Sequence, residues 1–235
     1  MGKLTKQQSK LHQQAMDLIY SDSALNFEQK EFILDNYHGD AVGATGAFFT
    51  PNMLSWDFTL EVMQKASIVD LCAGIGRLSF SVLHRCKPTR LVCVELNQEY
   101  CNIGKRVLPE AEWICMDVLK YSSTERFDQV IGNPPFGRIF TSTEMGIYRG
   151  TEFEFKVITH GSTLANYGSF IVPQGSAGFV YSGARYYDKK ESSKYSKWVE
   201  QTGLELDAGV GIDTSIYREE WHGTNVITEV VNVQY

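Results

Sequence analysis

The sequence predicts an α/β protein with a doubly wound, mostly parallel seven-stranded sheet, an antiparallel edge strand and an N-terminal helical segment. From residue 67 onward, short apolar runs alternate with amphipathic stretches, which is the pattern of strands joined by crossover helices. The last two apolar runs, residues 204–212 and 224–235, have no helix between them, so we expect an antiparallel edge there. Upstream of these strands, two short amphipathic pieces have helical periodicity.

The individual elements follow from this periodicity in chain order. We expect N-terminal helices over 10–20 and 26–37, and a helix that uses Thr50 as N-cap and Pro51 as its first residue. The remaining five strands are expected at 67–71, 90–96, 111–118, 127–133 and 168–173. Helices are expected at 76–86, 97–109, 152–167 and 189–203.

Size and composition indicate an ordinary globular protein. The 235 residues, 43% hydrophobic and 21% charged, suit a helical segment over 1–44 and one larger domain over 45–235. No apolar run approaches the ~20 residues that span a bilayer, and the polar N-terminus predicts no signal peptide. Five cysteines without metal-ligand spacing predict buried, reduced thiols in a cytoplasmic protein without a metal site. The net charge of −6 argues against a broad nucleic-acid surface, so such contact requires a local basic patch.

Polar side chains end four consecutive strands of the predicted sheet. Asp70, Glu95, Asp117 and Asn133 each stand at or near the carboxyl end of a strand. Ligands of open α/β sheets bind at this edge, near the point where the strand order reverses. The four residues therefore predict a shared polar site.

The turn after the first strand, "DLCAGIG", favours an adenosine ligand without a polyphosphate. Gly74 and Gly76 allow close backbone approach, but Ser79 stands where the dinucleotide fingerprint needs a third glycine, and no P-loop motif is present. Glu95 is placed to hold ribose hydroxyls, and Asp117 to accept a hydrogen bond from an adenine amino group. An acidic lining suits a cationic ligand such as S-adenosylmethionine.

The segment "NPPFG" after the fourth strand allows two interpretations. Two prolines fix the backbone twice and remove two N–H donors, so the strand must end here. One interpretation is a stiff turn with one core phenylalanine. The other is a rigid catalytic loop at the polar edge of the sheet.

The motifs "VDLCAGIGRLSF", "VELN", "MDVL" and "NPPFG", in this order, resemble class I S-adenosylmethionine-dependent methyltransferases. Together with "TGAFFTP" (residues 45–51) upstream, they are similar to the γ-ordered N6-adenine DNA methyltransferases, including the methylation subunits of type I restriction-modification systems. The resemblance covers roughly residues 45–235. It implies that cofactor contacts come from Phe49, Thr50, Pro51, Asp70, Cys72, Ala73, Gly74, Gly76, Glu95, Leu96, Asp117, Val118 and Asn133.

The resemblance also implies a reaction in which the methyl group passes directly to the exocyclic amino group of an adenine in DNA. The Asn133 side-chain oxygen and the Pro134 carbonyl would accept the two amine protons, with Pro135 stiffening the loop. Phe136 would stack on the base after it leaves the duplex. Two alternatives remain open: methylation of RNA or of a protein glutamine amide, and a cofactor-binding scaffold subunit without activity.

Contacts to nucleic acid are predicted outside the cofactor edge. Members of this family that recognise DNA on their own usually carry a separate target-recognition domain, and we expect none in this sequence. Either the specificity for a target sequence is weak, or a partner subunit supplies it. A basic and aromatic stretch over residues 185–197 could grip phosphates and stack on bases, although a solvated amphipathic helix explains it equally well. The candidate contacts are Arg138, Arg185, Tyr186, Tyr187, Lys189 and Lys190.

Overall fold

The structure is a computed structural model that describes residues 4–39, 48–139, 147–221 and 226–235. The eight strands are β1 (Ser67–Leu71), β2 (Arg90–Glu95), β3 (Glu112–Cys115), β4 (Phe127–Gly132), β5 (Ala165–Pro173), β6 (Phe179–Val180), β7 (Asp188–Lys189) and β8 (Thr228–Gln234). The seven α-helices of the same residues are α1 (Lys6–Ile19), α2 (Phe27–Asn36), α3 (Asn52–Phe58), α4 (Arg77–Cys86), α5 (Gln98–Val107), α6 (Phe153–Gly161) and α7 (Ser193–Thr202).

The central sheet has the order β3-β2-β1-β4-β5-β8, with β1 to β5 parallel and β8 antiparallel to β5. The predicted doubly wound sheet with an antiparallel edge is therefore confirmed. The order reverses between β1 and β4, so the carboxyl ends of these two strands flank the expected ligand crevice. β6 and β7 form a separate two-stranded hairpin.

The prediction of seven strands is wrong, because the central sheet has six among the described residues. Residues 204–212 contribute only a bridge between Asp207 and Asn232. Gly209 and Gly211 both adopt positive φ, 52° and 76°, and turn the chain out of the extended conformation. The N–H of Val210 between them donates to the Glu61 carboxylate at 2.6 Å instead of to a neighbouring strand.

Several helix boundaries also differ from the sequence prediction: α1, for example, begins at Lys6 instead of residue 10, and α6 and α7 differ as well. The helix expected over 152–167 ends at Gly161, because Ala165 already pairs with Phe127 of β4. The helix expected from Lys189 begins later, after Ser192, whose hydroxyl caps it by accepting from the Tyr195 N–H at 3.3 Å. Lys189 itself belongs to the β6–β7 hairpin.

Alternate residues of the sheet face two hydrophobic layers. Ile68 and Ile131 point into the layer formed by α1 to α5, whereas Val69 and Val130 point into the layer that contains α6 and α7. The predicted N-terminal helices are present, each begins with a capping box, and both contribute to the first layer. No helix among the described residues combines the length and apolar character needed to cross a membrane.

Candidate active site

Three of the four strand-end residues, Glu95, Asp117 and Asn133, line a cavity of about 370 Å3 at the carboxyl edge of the sheet. Eight of its lining residues were predicted as cofactor contacts: Phe49, Cys72, Gly74, Glu95, Leu96, Asp117, Val118 and Asn133. A smaller cavity of about 30 Å3 shares Phe49, Cys72, Gly74 and Asn133 with the first and adds Thr50, Asp70 and Ala73. The predicted polar edge is thus one continuous concave surface.

The glycine turn after β1 is fastened to the end of β2 through Glu95. The Gly74 N–H donates to one carboxylate oxygen of Glu95 at 2.9 Å, and the Asn97 N–H donates to the other at 2.8 Å. Burial raises the pKa of Glu95 above its ordinary value, although the backbone donors oppose the shift. Each oxygen retains a second lone pair, so the carboxylate can still accept hydroxyl groups of a ribose.

Gly74 adopts a backbone conformation that favours glycine. Its φ is +57°, so a side chain there would be strained, although a Cβ would make only an ordinary contact with the Phe49 ring at 3.4 Å. Phe49 packs in turn on Tyr100, with ring centres 5.3 Å apart. Cys72, half-buried rather than buried as predicted, also has a left-handed φ of 65°, which is costly for a residue with a side chain.

Asp70 is fully buried beneath the smaller cavity. Its Oδ2 accepts from the Ser79 hydroxyl at 2.7 Å, while Oδ1 is buried and receives no hydrogen bond from any described residue. Burial is the main cause that raises the pKa of Asp70 from 3.8 to about 7, and the nearby Glu95 adds to the rise. A cationic ligand group at Oδ1 would satisfy this carboxylate.

Asp117 lies two residues beyond the end of β3, because this strand is shorter than predicted. Its Oδ1 accepts from the Leu119 N–H at 3.0 Å and caps a single 3-10 turn. Val118 follows as a buried residue, and both side chains line the larger cavity. This arrangement fits the expected adenine contact.

Asn133 is held by its amide nitrogen, which leaves its oxygen available. Nδ2 donates to the backbone oxygen of Phe48 and to the Thr50 hydroxyl, both at 3.0 Å. Oδ1 is buried without a hydrogen-bond donor within the described part of the chain. Thr50 therefore binds Asn133 and does not cap α3, whose N-cap is Pro51 with no side-chain hydrogen bond. The sequence prediction of Thr50 as N-cap is wrong for this reason.

The remainder of the "NPPFG" loop is packed rather than open. Pro135 lines the larger cavity, whereas Pro134 is buried and lines neither cavity. The Phe136 ring packs between Phe48 and Trp221, with ring centres 6.0 and 6.3 Å away. The following Gly137 donates its N–H to the buried Glu154 at 2.9 Å, which ties the loop to α6.

The lining of the two cavities differs in part from the predicted set of cofactor contacts. Pro51 and Gly76 line neither cavity; they begin α3 and α4 instead. The cavity lining that was not predicted consists of Phe48, Val94, Asn97, Tyr100, Ile139 and Phe153, with Arg77 and Leu78 in the smaller cavity. Phe48 could have been assigned from its place beside Phe49, but Phe153 carries no local sequence signal.

The predicted nucleic-acid contacts lie on exposed loops. Arg138 is exposed and pairs through a backbone bridge with Glu152. The other five belong to the β6–β7 hairpin, which follows β5 from the carboxyl edge of the sheet. Tyr186 is 70% exposed with the Arg185 guanidinium 5.2 Å from its ring centre, whereas Tyr187 stacks on Phe179.

Similarity to known proteins agrees with this geometry. Residues 54–147, less than half of the chain, match the family model of the methyltransferase small domain. Among solved structures, a Listeria monocytogenes protein described as a class I S-adenosylmethionine-dependent methyltransferase aligns over 97% of this chain and 68% of its own, with TM-score 0.54 and 11% identity. The 23S rRNA methyltransferase ErmE aligns over 80% and 69%, with TM-score 0.53 and 11% identity.

The chain has the class I S-adenosylmethionine-dependent methyltransferase fold. The fold and the family model confirm S-adenosylmethionine as the predicted cofactor. A curated sequence relative is the tRNA1(Val) (adenine(37)-N6)-methyltransferase of Vibrio vulnificus strain YJ016, 26% identical over 122 residues, which are 48% of this chain and 50% of the relative. The corresponding protein of strain CMCP6 matches equally. The chain thus spans about half the length of these relatives.

Proposed function

We propose that this protein transfers the methyl group of S-adenosylmethionine to the exocyclic amino group of an adenine in a nucleic acid. The observation that carries the proposal is the Asn133 carboxamide, whose Nδ2 is fixed by two acceptors while Oδ1 is buried without a donor from the described residues. An unsatisfied buried acceptor is costly, and its position beside the cofactor cavity suits a donor that a substrate brings.

An amino group on an aromatic ring supplies such a donor. Its lone pair is delocalised into the ring, and a hydrogen bond from the amine to Asn133 Oδ1 favours the geometry in which the lone pair points at the methyl group. S-adenosylmethionine, when bound, would supply the methyl group to the amine nitrogen, and its carbon–sulfur bond would break with the bonding electrons returning to sulfur. S-adenosylhomocysteine leaves, and the amine loses one proton to water. Asn133 acts by position and electrostatics, without reorganisation in the reaction.

RNA is the first acceptor to test. The sequence relative from Vibrio vulnificus is by name a tRNA adenine-N6 methyltransferase, and it supports an adenine acceptor in RNA. The exposed hairpin with Arg185 and Tyr186 suits an unpaired base, on which an aromatic ring can stack without opening a duplex.

DNA is the second candidate, favoured by a specific contact. The segment Phe48-Phe49-Thr50-Pro51, which resembles the extra cofactor motif of γ-ordered DNA methyltransferases, supplies both acceptors for Asn133. In that case a partner subunit would supply target recognition. The two candidates share the cofactor, the catalytic amide and the methylated atom, so they differ only in the acceptor polymer.

The experiment is a transfer assay with labelled S-adenosylmethionine and, separately, unmodified tRNA, ribosomal RNA, unmethylated DNA and a release factor. Digestion and mass spectrometry of the products would locate the methyl group. We expect N6-methyladenosine in RNA; N6-methyldeoxyadenosine alone would establish the DNA candidate. Label only in protein, or cofactor binding without transfer to any acceptor, would overturn the proposal in favour of a glutamine methyltransferase or a scaffold subunit.

A further inference from the structure

Three exposed basic side chains in the second half of the sequence have no acidic partner among the described residues. They are Arg138 after the loop that follows β4, Arg149 in the segment before α6, and Lys197 of α7. No carboxylate of the described part of the chain lies within 4 Å of their charged groups. By contrast, Lys189 of the β6–β7 hairpin pairs with Glu191 at 3.2 Å. On a chain with a net charge of −6, unpaired cations that gather in one place indicate an anionic partner.

Backbone pairing places Arg138 and the segment before α6 at the rim of the larger cavity. Arg138 forms an antiparallel bridge with Glu152, and the Phe153 N–H donates to the Gly137 carbonyl at 2.8 Å. The residues that follow this bridge, Ile139 and Phe153, both line the cavity. Arg138 is therefore one residue away from the wall of the pocket that we assign to the cofactor.

A side-chain hydrogen bond connects the same rim to α7. The Arg149 N–H donates to Gln201 Oε1 at 2.8 Å, and Gln201 lies one helical turn after Lys197. Because residues four apart are neighbours on one face of a helix, Lys197 lies beside the segment that carries Arg149. Glu200 is about 100° around the helix from Gln201, farther from this segment than Lys197, which is about 40° from it. The three cations therefore share one surface.

Two nearby carboxylates have partners of their own. Glu152 Oε2 accepts from the Tyr148 hydroxyl at 2.6 Å, and the buried Glu154 lies 3.6 Å from the ammonium group of Lys194. Lys194 therefore compensates the charge of Glu154. The excess of positive charge remains with the three exposed side chains, and it is available to a ligand.

We propose that Arg138, Arg149 and Lys197 form a phosphate-binding strip that holds the backbone of the acceptor nucleic acid across the rim of the larger cavity. The inference rests on the proposed function for the nature of this acceptor. Phosphate contacts fix the position and register of a nucleic acid without reading its sequence. A guanidinium group matches phosphate oxygens with two parallel hydrogen bonds, and a lysine adds a point charge. The strip supplies affinity, while Asn133 acts on the base that the bound strand presents.

The test is the salt dependence of nucleic-acid binding. Fluorescence anisotropy would measure the affinity for a labelled unmodified tRNA transcript and for a labelled unmethylated DNA duplex between about 50 and 200 mM NaCl, with S-adenosylhomocysteine present. For the polymer that the wild type binds, Arg149→Gln and Lys197→Gln should each weaken binding about three- to tenfold. Each should also reduce the slope of log K against log salt by about 0.7 to 0.9, and the double variant should lose about twice as much slope.

The matched control is Lys105→Gln. Lys105 is also an exposed lysine of an α-helix, but its helix, α5, packs on the other face of the sheet. This variant should keep the wild-type affinity and slope. Lys197→Arg retains the positive charge and should also retain the slope.

Two results would overturn the inference while the proposed function stands, if the wild type methylates a nucleic acid. The first is a wild-type affinity and slope in both glutamine variants. The second is weaker binding with an unchanged slope, which would mean that the two side chains act through the protein structure and not through phosphate. If the wild type bound neither polymer and methylated no nucleic acid, the proposed function would fail, and the inference with it.

Discussion

The proposed cofactor side and the proposed acceptor side of the sheet edge are built differently. On the cofactor side, Asp70 and Arg77 are buried, and Glu95 is fixed by two backbone N–H groups. On the acceptor side, Arg138 and Tyr186 are exposed on a loop and a short hairpin. The cofactor side thus holds its geometry without ligand, at the cost of unsatisfied buried groups, whereas the acceptor side offers charge and aromatic surface to a large partner.

This difference predicts that mutations can affect cofactor binding and nucleic-acid binding separately. Changes on the cofactor side should alter cofactor affinity and pH dependence, and changes on the acceptor side should alter the KM for nucleic acid. Asn133 lies at the boundary, since it lines both cavities while its free oxygen is assigned to the acceptor.

The largest effect is expected at this boundary. Asn133→Ala removes the acceptor for the amine and should lower the single-turnover rate of methyl transfer about 100- to 1000-fold at saturating cofactor. Thr50→Val is the matched control, because it removes only one of the two acceptors of the Asn133 amide. It should cost about tenfold or less. An Asn133→Ala variant with more than a tenth of the wild-type rate would contradict the assigned role.

The second prediction concerns the pH dependence of stability on the cofactor side. Because the pKa of Asp70 is raised from 3.8 to about 7, its contribution to ligand-free stability is fully present below pH 4 and is lost as the pH rises through 7. Asp70→Asn should therefore make the free energy of unfolding less dependent on pH between 5 and 8, by about 3 kcal/mol.

Urea unfolding at pH 5 and pH 8 measures this difference. Asp128→Asn is the control that should keep the wild-type pH dependence, since hydrogen bonds from Ser67 lower the pKa of this exposed carboxylate and keep it ionised at both pH values. Glu95 also has a raised pKa and remains in both variants. Equal pH dependence in wild type and Asp70→Asn would show that Asp70 does not titrate as described.

The third prediction concerns the support of the proposed catalytic loop after β4. The fully buried Glu154 accepts from the Gly137 N–H at 2.9 Å and from the Ser176 hydroxyl at 2.8 Å, and Lys194 lies 3.6 Å away. In Glu154→Gln the amide NH2 must face one of these donors, which should loosen the loop and lower kcat about tenfold. Steady-state kinetics and S-adenosylhomocysteine titration check this, with cofactor affinity unchanged.

Ser176→Ala is the comparison for the third prediction, because it removes the hydrogen bond from Ser176 to Glu154 and leaves the bond from Gly137 of the loop in place. Its kcat should fall less than that of Glu154→Gln. If Glu154→Gln instead weakened cofactor binding as strongly as it slowed transfer, the two sides of the edge would not be separable at this residue.

The smallest effect is expected on the acceptor side. Tyr186→Ala removes an exposed ring on which a base can stack and should raise the KM for nucleic acid about fivefold, with S-adenosylhomocysteine affinity unchanged. Tyr20, at the end of α1, is 71% exposed compared with 70% for Tyr186, so Tyr20→Ala is a closely matched control. Equal KM values for nucleic acid in Tyr186→Ala and Tyr20→Ala would show that the hairpin is not part of the nucleic-acid-binding surface.

The residues of the cofactor side were easier to predict from sequence than the contacts that hold them in place. Asp70, Glu95, Asp117 and Asn133 follow apolar strands, and the parallel sheet brings strand ends to one edge without further information. Thr50 shows the limit: its hydrogen-bond partner Asn133 is 83 residues away, and local pattern indicated a helix cap. Arg77, equally, is an ordinary helix residue until its ion pair with Asp35 and its place in the smaller cavity are seen.

The fold errors have the same origin. The apolar run over 204–212 has strand composition, but Gly209 and Gly211 turn the chain and Glu61 captures the intervening N–H. The helical pattern before β5 continues past Gly161, although pairing with β4 determines where the strand starts. In both places, contacts with residues distant in sequence determine the secondary structure, and local periodicity carries no information about those contacts.

The central claim is that the free oxygen of Asn133 serves the acceptor and not the cofactor, so the most direct test is the affinity of Asn133→Ala for S-adenosylhomocysteine. Titration calorimetry on folded Asn133→Ala should give a dissociation constant within about threefold of wild type, because the ribose, amino-acid and adenine contacts are intact. A loss of cofactor affinity as large as the loss of transfer rate would contradict the claim and place Asn133 in the cofactor pocket alone.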